Sequence, residues 1–471
     1  MPAMLPRYAA YTETFRCIGS DCEDTCCSGW NVPIDRLTYE KYRAMPAGPL
    51  GALIAESVTE NDESTPSKTN GCNQANASND AVFAQIRMNN ANLCPMLTNE
   101  RLCRIHAELG AEMLGHTCST YPHIVHELGA AKETAFALSC PEAARLVLLS
   151  PDLLNDVSPA AQPRSPQQAA AEPARVELEQ GSAKEYTRVL PPHFLEIREL
   201  VLALVRMRSY PLWQRMFLIG LMCRRLDSIA RGELKRSVVE FLADFKNALA
   251  AGSLRPAMET LPLDRAAQLD VVLRLAGLML HRSNVRPRFA ASVQAFTAGI
   301  GSGPSATLKS LADQYARAHD FCFDPFFRRH PHILENYLIN TIVRCQFPFG
   351  REGMNLGAVP GRSIEFARLT AQFTLVRGLL IGVAGYHGTA FSTDHVVATV
   401  QSAAKHFEHH PEFLKLAYEV LLESQMDGAK GMAILLRNTA QDTTTARSAG
   451  AHLPSPNPFG SEAQPGIQIT P

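Results

Sequence analysis

Nine of the chain's 12 cysteines fall within its first 140 residues: Cys17, Cys22, Cys26, Cys27, Cys72, Cys94, Cys103, Cys118 and Cys140. Only Cys223, Cys322 and Cys345 lie beyond. Soft thiolates select zinc, copper(I) or iron–sulfur clusters. Four of them complete either a closed zinc site or one cubane cluster. Cys72 sits in a polar stretch and is set aside as a structural ligand. The other eight form two groups, Cys17–Cys27 and Cys94–Cys140, which only the fold can bring together. Eight ligands allow two four-ligand sites, or one site with four further structural or redox thiols.

Other uses of cysteine fit less well. Small buried core cysteines would be scattered, and these are clustered. A disulfide framework needs an oxidising compartment. The opening MPAMLPRYAAYTETF lacks the charged and apolar regions of a signal peptide, so a cytoplasmic location is expected. No run approaches the roughly 18 apolar residues of a membrane span. Net charge is −1, with 45 basic and 46 acidic residues, so neither a nucleic-acid footprint nor a polybasic membrane anchor is expected. The spacing is not a zinc ribbon, which shows two short CxxC knuckles. A Cys-x3-Cys-x2-Cys cluster loop from Cys22 would need a thiol at Gly29.

The elements that must position these thiols divide the chain. Residues 1–150 read as an irregular, cysteine-rich metal-binding module with little helical periodicity before residue 55. Within it, 56–80 is poor in large apolar residues and reads as a disordered insertion. The stretch 158–183, rich in Pro, Ala, Gln and Ser, reads as a linker. Apolar residues then recur at helical spacing from His193, from Pro211, and over 264–280, 305–319, 331–343, 364–383, 393–406 and 411–422. Strand patterns are nearly absent there, so 190–436 is expected to be an all-α domain. Residues 437–471 read as a disordered tail. The fold class is mainly α: the cysteine-rich module followed by the helical domain.

Other motifs are weaker. LVRGLLIGVAGYHG places Gly378, Gly382 and Gly385 four and three apart, which suits close helix packing better than a phosphate-binding turn. His406, His409 and His410 fall near a helix end, where imidazoles favour the dipole and are usually solvated. Glu335 and Tyr337 are weak catalytic candidates for orienting or deprotonating a lysine amine, whose nitrogen must be neutral to attack. An acid in a first helical turn is the simpler reading of Glu335. Trp30 is expected to pack over the thiols and shield them from water.

CIGSDCEDTCCSGW, CPMLTNERLCRIHAELG, HTCSTYP and LSCP, with PHILENYLIN from Pro331 and CQFPFG from Cys345, resemble the bacterial flagellin lysine-N-methylase family. That family carries a zinc- or iron-chelating cysteine module. The resemblance spans much of 8–149 and about 330–350. His123, where the pattern favours Arg, departs from it, and the insertion and tail appear extra. The resemblance implies a cytoplasmic methyltransferase that uses S-adenosylmethionine to methylate lysines of flagellin. It also implies that Cys17, Cys22, Cys26, Cys27, Cys94, Cys103, Cys118 and Cys140 hold an iron–sulfur cluster, 4Fe–4S in the first instance, with zinc as the alternative. Nucleic acid and membrane are not expected partners. The alternative is a non-enzymatic metal-binding or redox-sensing protein whose helical domain binds a partner.

Overall fold

The computed structural model describes residues 10–30, 32–61, 82–128, 131–154, 190–280, 286–350, 361–410 and 412–438. The expected linker lies outside these residues, as do the insertion from residue 62 and the tail from residue 439.

The first part mixes short strands and helices. β1 (Val32–Ile34), α1 (Arg36–Arg43), α2 (Pro49–Ser57), β2 (Val58–Glu60) and β3 (Ala84–Ile86) come first. α3 (Arg104–Leu109), α4 (His116–Thr120), β4 (His123–Leu128), β5 (Ala131–Phe136) and α5 (Pro141–Leu149) follow. Two short helices thus form before residue 58, where little helical periodicity was expected. Their signals are local. The Asp35 carboxylate accepts from the Thr38 amide at 2.8 Å and caps α1. Pro49 opens α2, and Leu50 and Ile54, four apart, are buried. The stretch expected to be disordered from residue 56 begins with ordered structure: β2 pairs antiparallel with β3, and Val58 is buried. The three strands run in the order β1-β3-β2, while β4 and β5 form a separate hairpin.

The second part is helical, as the apolar periodicity predicts: α6 (Phe194–Arg206), α7 (Leu212–Ala230), α8 (Val238–Ala250), α9 (Arg255–Glu259), α10 (Arg265–Leu280) and α11 (Pro287–Gly299). Then come α12 (Leu308–Ala318), a π-turn (His319–Phe323), α13 (Asp324–Arg329), α14 (His332–Arg344), α15 (Arg362–His387), α16 (Thr393–Phe407), α17 (Phe413–Glu423) and α18 (Ala429–Leu436). α15 is the central post, packed by α7, α10, α11, α12, α16, α17 and α18. It is long and apolar enough to cross a membrane, but 94% of that apolar window is buried inside the protein. Its glycines allow backbones to touch. A Cβ on Gly382 would stand 2.4 Å from the Phe296 ring, and one on Gly378 2.3 Å from Val272. These glycines serve helix packing.

Two apolar cores result. The smaller gathers β1–β3, α1 and α2 with Cys94, Met96 and Ile105. The larger includes the helical domain together with Tyr11, Phe136, Leu138, Cys140 and α5. The β4–β5 hairpin and α5 sit on it through α14 and α16. Cys94 therefore belongs to one core and Cys140 to the other.

Candidate thiol centre at the seam between two cores

Backbone pairing brings the separated thiols together. The Cys94 amide donates to the Cys27 carbonyl at 2.8 Å, and the Gly29 amide to Asn92 at 2.9 Å. Gly29 has φ +82°, the left-handed region that favours glycine, and this turn aims the following Trp30 back at the loop. A bridge between Leu97 and Cys103 folds Cys103 back beside Cys94. Cys118 rides on α4, whose first amide, at His116, donates to the Asp35 carboxylate at 3.2 Å. Cys140 occupies the N-cap position of α5, with Pro141 after it.

The thiols that result share one electrostatic environment. Cys26 is its hub. Burial is the main cause that raises the thiol pKa values of Cys22, Cys103, Cys118 and Cys140, and neighbouring cysteines, Cys26 among them, add a smaller push. Cys140 reaches about 12. Cys17 acts on Cys22, and Cys94 on Cys27, completing the set of eight. Cys26 and Cys118 are exposed as residues, yet both thiols are pushed well up, Cys118 by burial around its sulfur and Cys26 by its neighbour Cys27 and then by burial. The thiol–thiol hydrogen bond with Cys27 is the largest influence on Cys26. All 11 described cysteines are free thiols.

The donor chemistry fits a thiophilic metal: soft ligands, converging and enclosed, whose thiolates a cation would stabilise. Their placement is looser than a formed site. Among the described residues, no group of three or more His, Cys, Asp or Glu stands at metal-ligand spacing.

α16 clasps the thiol-bearing segments. The Lys405 ammonium donates to Asp24 Oδ1 at 2.6 Å and to the Thr25 carbonyl at 2.7 Å. Gln401 Nε2 donates at 2.8 Å to both Asp24 Oδ2 and the Ser139 carbonyl. The Glu408 carboxylate accepts from the Leu138 and Ser139 amides at 3.3 and 3.1 Å. His409 Nε2 lies 3.0 Å from Ser139 Oγ. Burial, and then the Arg286 charge, lower the Lys405 ammonium to about 8 despite its carboxylate partner. Burial works against the Asp24 carboxylate, but Lys405 and Gln401 together hold it below the usual range.

His406 and His409 are not solvated, as their position near a helix end had implied. Both are buried: His406 packs on Phe289 at a centroid distance of 4.2 Å, and His409 on Trp30. His406 is covered by α11 of the same domain, and His409 by the cysteine-rich loop. Trp30 stands beside the thiols as expected, its Nε1 donating to the Cys26 carbonyl at 3.0 Å.

Glu335 and Tyr337 lie on α14. The Glu335 carboxylate takes Arg208 in a two-pronged pair at 2.8–3.2 Å and Arg215 at 2.8 Å, so guanidinium groups engage both oxygens. Tyr337 is buried in the large core, and burial pushes its phenol well up. Sequence reasoning passed over Asp24, Ser139, Gln401, Lys405 and Glu408. One signal for them was present: Gln401, Lys405 and Glu408 are spaced four and three apart along α16 and its C-terminal cap.

The profile described as "FliB lysine N-methylase C-terminal domain" matches residues 198–435, half of the chain. The chain belongs to the FliB lysine N-methylase family. Over 146 residues it is 30% identical to "Flagellar biosynthetic protein FliU" of Salmonella muenchen, covering 31% of this chain and 78% of that protein. It is also 30% identical over 146 residues to proteins named "Lysine-N-methylase" from Salmonella typhimurium (strain LT2) and Salmonella choleraesuis (strain SC-B67). Those two matches cover 33% of the relatives' own length. No solved structure matches the chain significantly. The family match falls on the helical domain, so α16 and its polar face lie within the matched residues.

Proposed function

We propose that this chain is a protein-lysine N-methyltransferase that takes its methyl group from S-adenosylmethionine and acts on a flagellar protein, flagellin being the expected substrate. Family membership supports the reaction class. What supports the site is the backbone pairing of Cys94 with Cys27, and the single helix α16 that holds both the Asp24 loop and Ser139 next to Cys140. In this reading Cys17, Cys22, Cys26, Cys27, Cys94, Cys103, Cys118 and Cys140 supply the ligands of an iron–sulfur cluster or of zinc. When bound, such a centre would stabilise the thiolates and tie the separated cysteine segments to one another. The chain's own residues do the rest. Trp30 and His409 cover the loop against water, and Asp24 and Lys405 hold it in place.

The test is mass spectrometry of flagellin from cells with and without this chain. The expected result is methylated lysine that disappears on deletion. Lysine methylation that persists unchanged defeats the assignment. Anaerobic purification with iron, sulfide and zinc analysis tests the centre, and protein free of all three defeats the metal reading. The contact of Cys26 with Cys27, and of Cys27 with Cys94, favours redox sensing as a second reading. That reading predicts reversible disulfides among these three and no methyl-lysine product.

A further inference from the structure

The polar face of α16 touches two stretches of chain that lie more than a hundred residues apart in sequence. One is the loop between Cys22 and Cys27, and the other is the turn that ends in Cys140. Gln401 joins them directly, because one amide nitrogen donates to Asp24 in the first and to the Ser139 carbonyl in the second. One helical turn on, Lys405 holds Asp24 and the Thr25 carbonyl. Both side chains are almost fully buried. Burying an amide and an ammonium costs free energy that a leucine or methionine at the same place would not. Most of their partners are backbone carbonyls, or a carboxylate within the loop itself, so these contacts fix where the loop runs. Glu408 then fixes the second stretch through two backbone amides.

We propose that Gln401 and Lys405 are positioning residues that hold the Cys22–Cys27 loop and the Cys140 turn in register, so that thiols from the two segments face a common space. The helical domain is then the jig on which the thiol centre is assembled. This goes beyond the proposed function and rests on it only for the metal; the register is read on the thiols themselves.

The experiment uses the full chain, reduced and freed of metal, carrying Lys405→Met, Gln401→Leu or Lys405→Arg. Each is treated with iodoacetamide, and the labelling rate at each cysteine is followed by mass spectrometry. Lys405→Met and Gln401→Leu are expected to speed labelling of Cys26 and Cys140 about tenfold, the effect of losing buried hydrogen bonds on a local opening equilibrium. Cys223, in the large core, stays protected and reports that the helical domain is intact. Lys405→Arg keeps the charge and stays nearer the wild-type rate. Removing the ammonium by itself disfavours the Cys26 thiolate, so faster labelling there reports displacement rather than charge.

Unchanged rates at Cys26 and Cys140 overturn the proposal. So does a parallel rise at Cys223, which shows a general loosening of the fold. A separate arm measures iron and zinc bound per chain after anaerobic purification, and both should fall in Lys405→Met and Gln401→Leu. If wild-type protein holds neither metal while the labelling pattern appears as expected, the ligand reading fails and the register inference stands.

Discussion

The indole of Trp30 lies against the imidazole of His409, with ring centroids 4.7 Å apart and planes inclined by 19°. One ring comes from the cysteine-rich loop and the other from just beyond α16, so the stack is a direct tie between the two parts of the chain. Such a pair contributes about 0.5–1.5 kcal/mol beyond the area it buries. A double-mutant cycle of Trp30→Leu and His409→Leu, followed by urea unfolding, should return a coupling energy in that range. Strict additivity would mean that the stack holds nothing together.

Gly382→Ala should destabilise the helical domain by about 1–3 kcal/mol, the usual effect of overpacking a filled interior. The added carbon would meet Phe296 at 2.4 Å, and its ring, carbonyl and Cα all close that side. A lowered urea midpoint with an unchanged slope is the expected result. Gly277→Ala is the control, since nothing lies within 4 Å of its added carbon.

Glu335→Ala should destabilise the chain by about 3–5 kcal/mol, because it leaves the buried Arg215 guanidinium without its carboxylate. Adding Arg215→Met should recover part of that loss. Denaturation midpoints of the three variants check this. Full stability of Glu335→Ala together with loss of methylation would instead return Glu335 to a catalytic role.

His319 predicts a pH dependence. Its imidazole is buried, and burial, together with the charge of Arg265, lowers its pKa from 6.5 to about 3, even though Asp320 stands 2.7 Å from Nδ1. Over that interval the unfolded chain binds a proton that the folded chain refuses. The stabilisation is therefore complete above pH 6.5 and is lost as the pH falls towards 3. Unfolding free energies measured from about pH 7 down to about pH 5 should fall less steeply in His319→Gln than in the wild type. Equal slopes would remove His319 as the source.

Much of the helical domain was legible before any coordinates. The segments at 264–280, 331–343 and 393–406 correspond to α10, α14 and α16 within a residue or two. Apolar residues recur at helical spacing in each, and burial of such residues largely decides whether a helix forms; α14 is buried on every side. α8 and α11 were not foreseen. In the first part, α1 and α2 escaped because each is only eight or nine residues long, so their periodicity covers little more than two turns. The strands β1–β3, three residues each, are too short for alternation to show.

The sequence alone determined which residues are the candidates for the proposed chemistry. Clustering and thiol softness are properties of composition and spacing, and they survive any arrangement of the chain. It also determined that Gly378, Gly382 and Gly385 serve packing, because no strand and turn precede them. Tertiary structure decided what the thiol-bearing segments pack against and what holds them there. Asp24 and Gln401 are 377 positions apart, and Ser139 and His409 are 270. No periodicity links residues at such distances; only the docking of two cores brings their hydrogen-bonding groups within 3 Å. The same reason turned His409 from a solvated helix end into a buried wall of the site: its burial depends on the loop that folds over it.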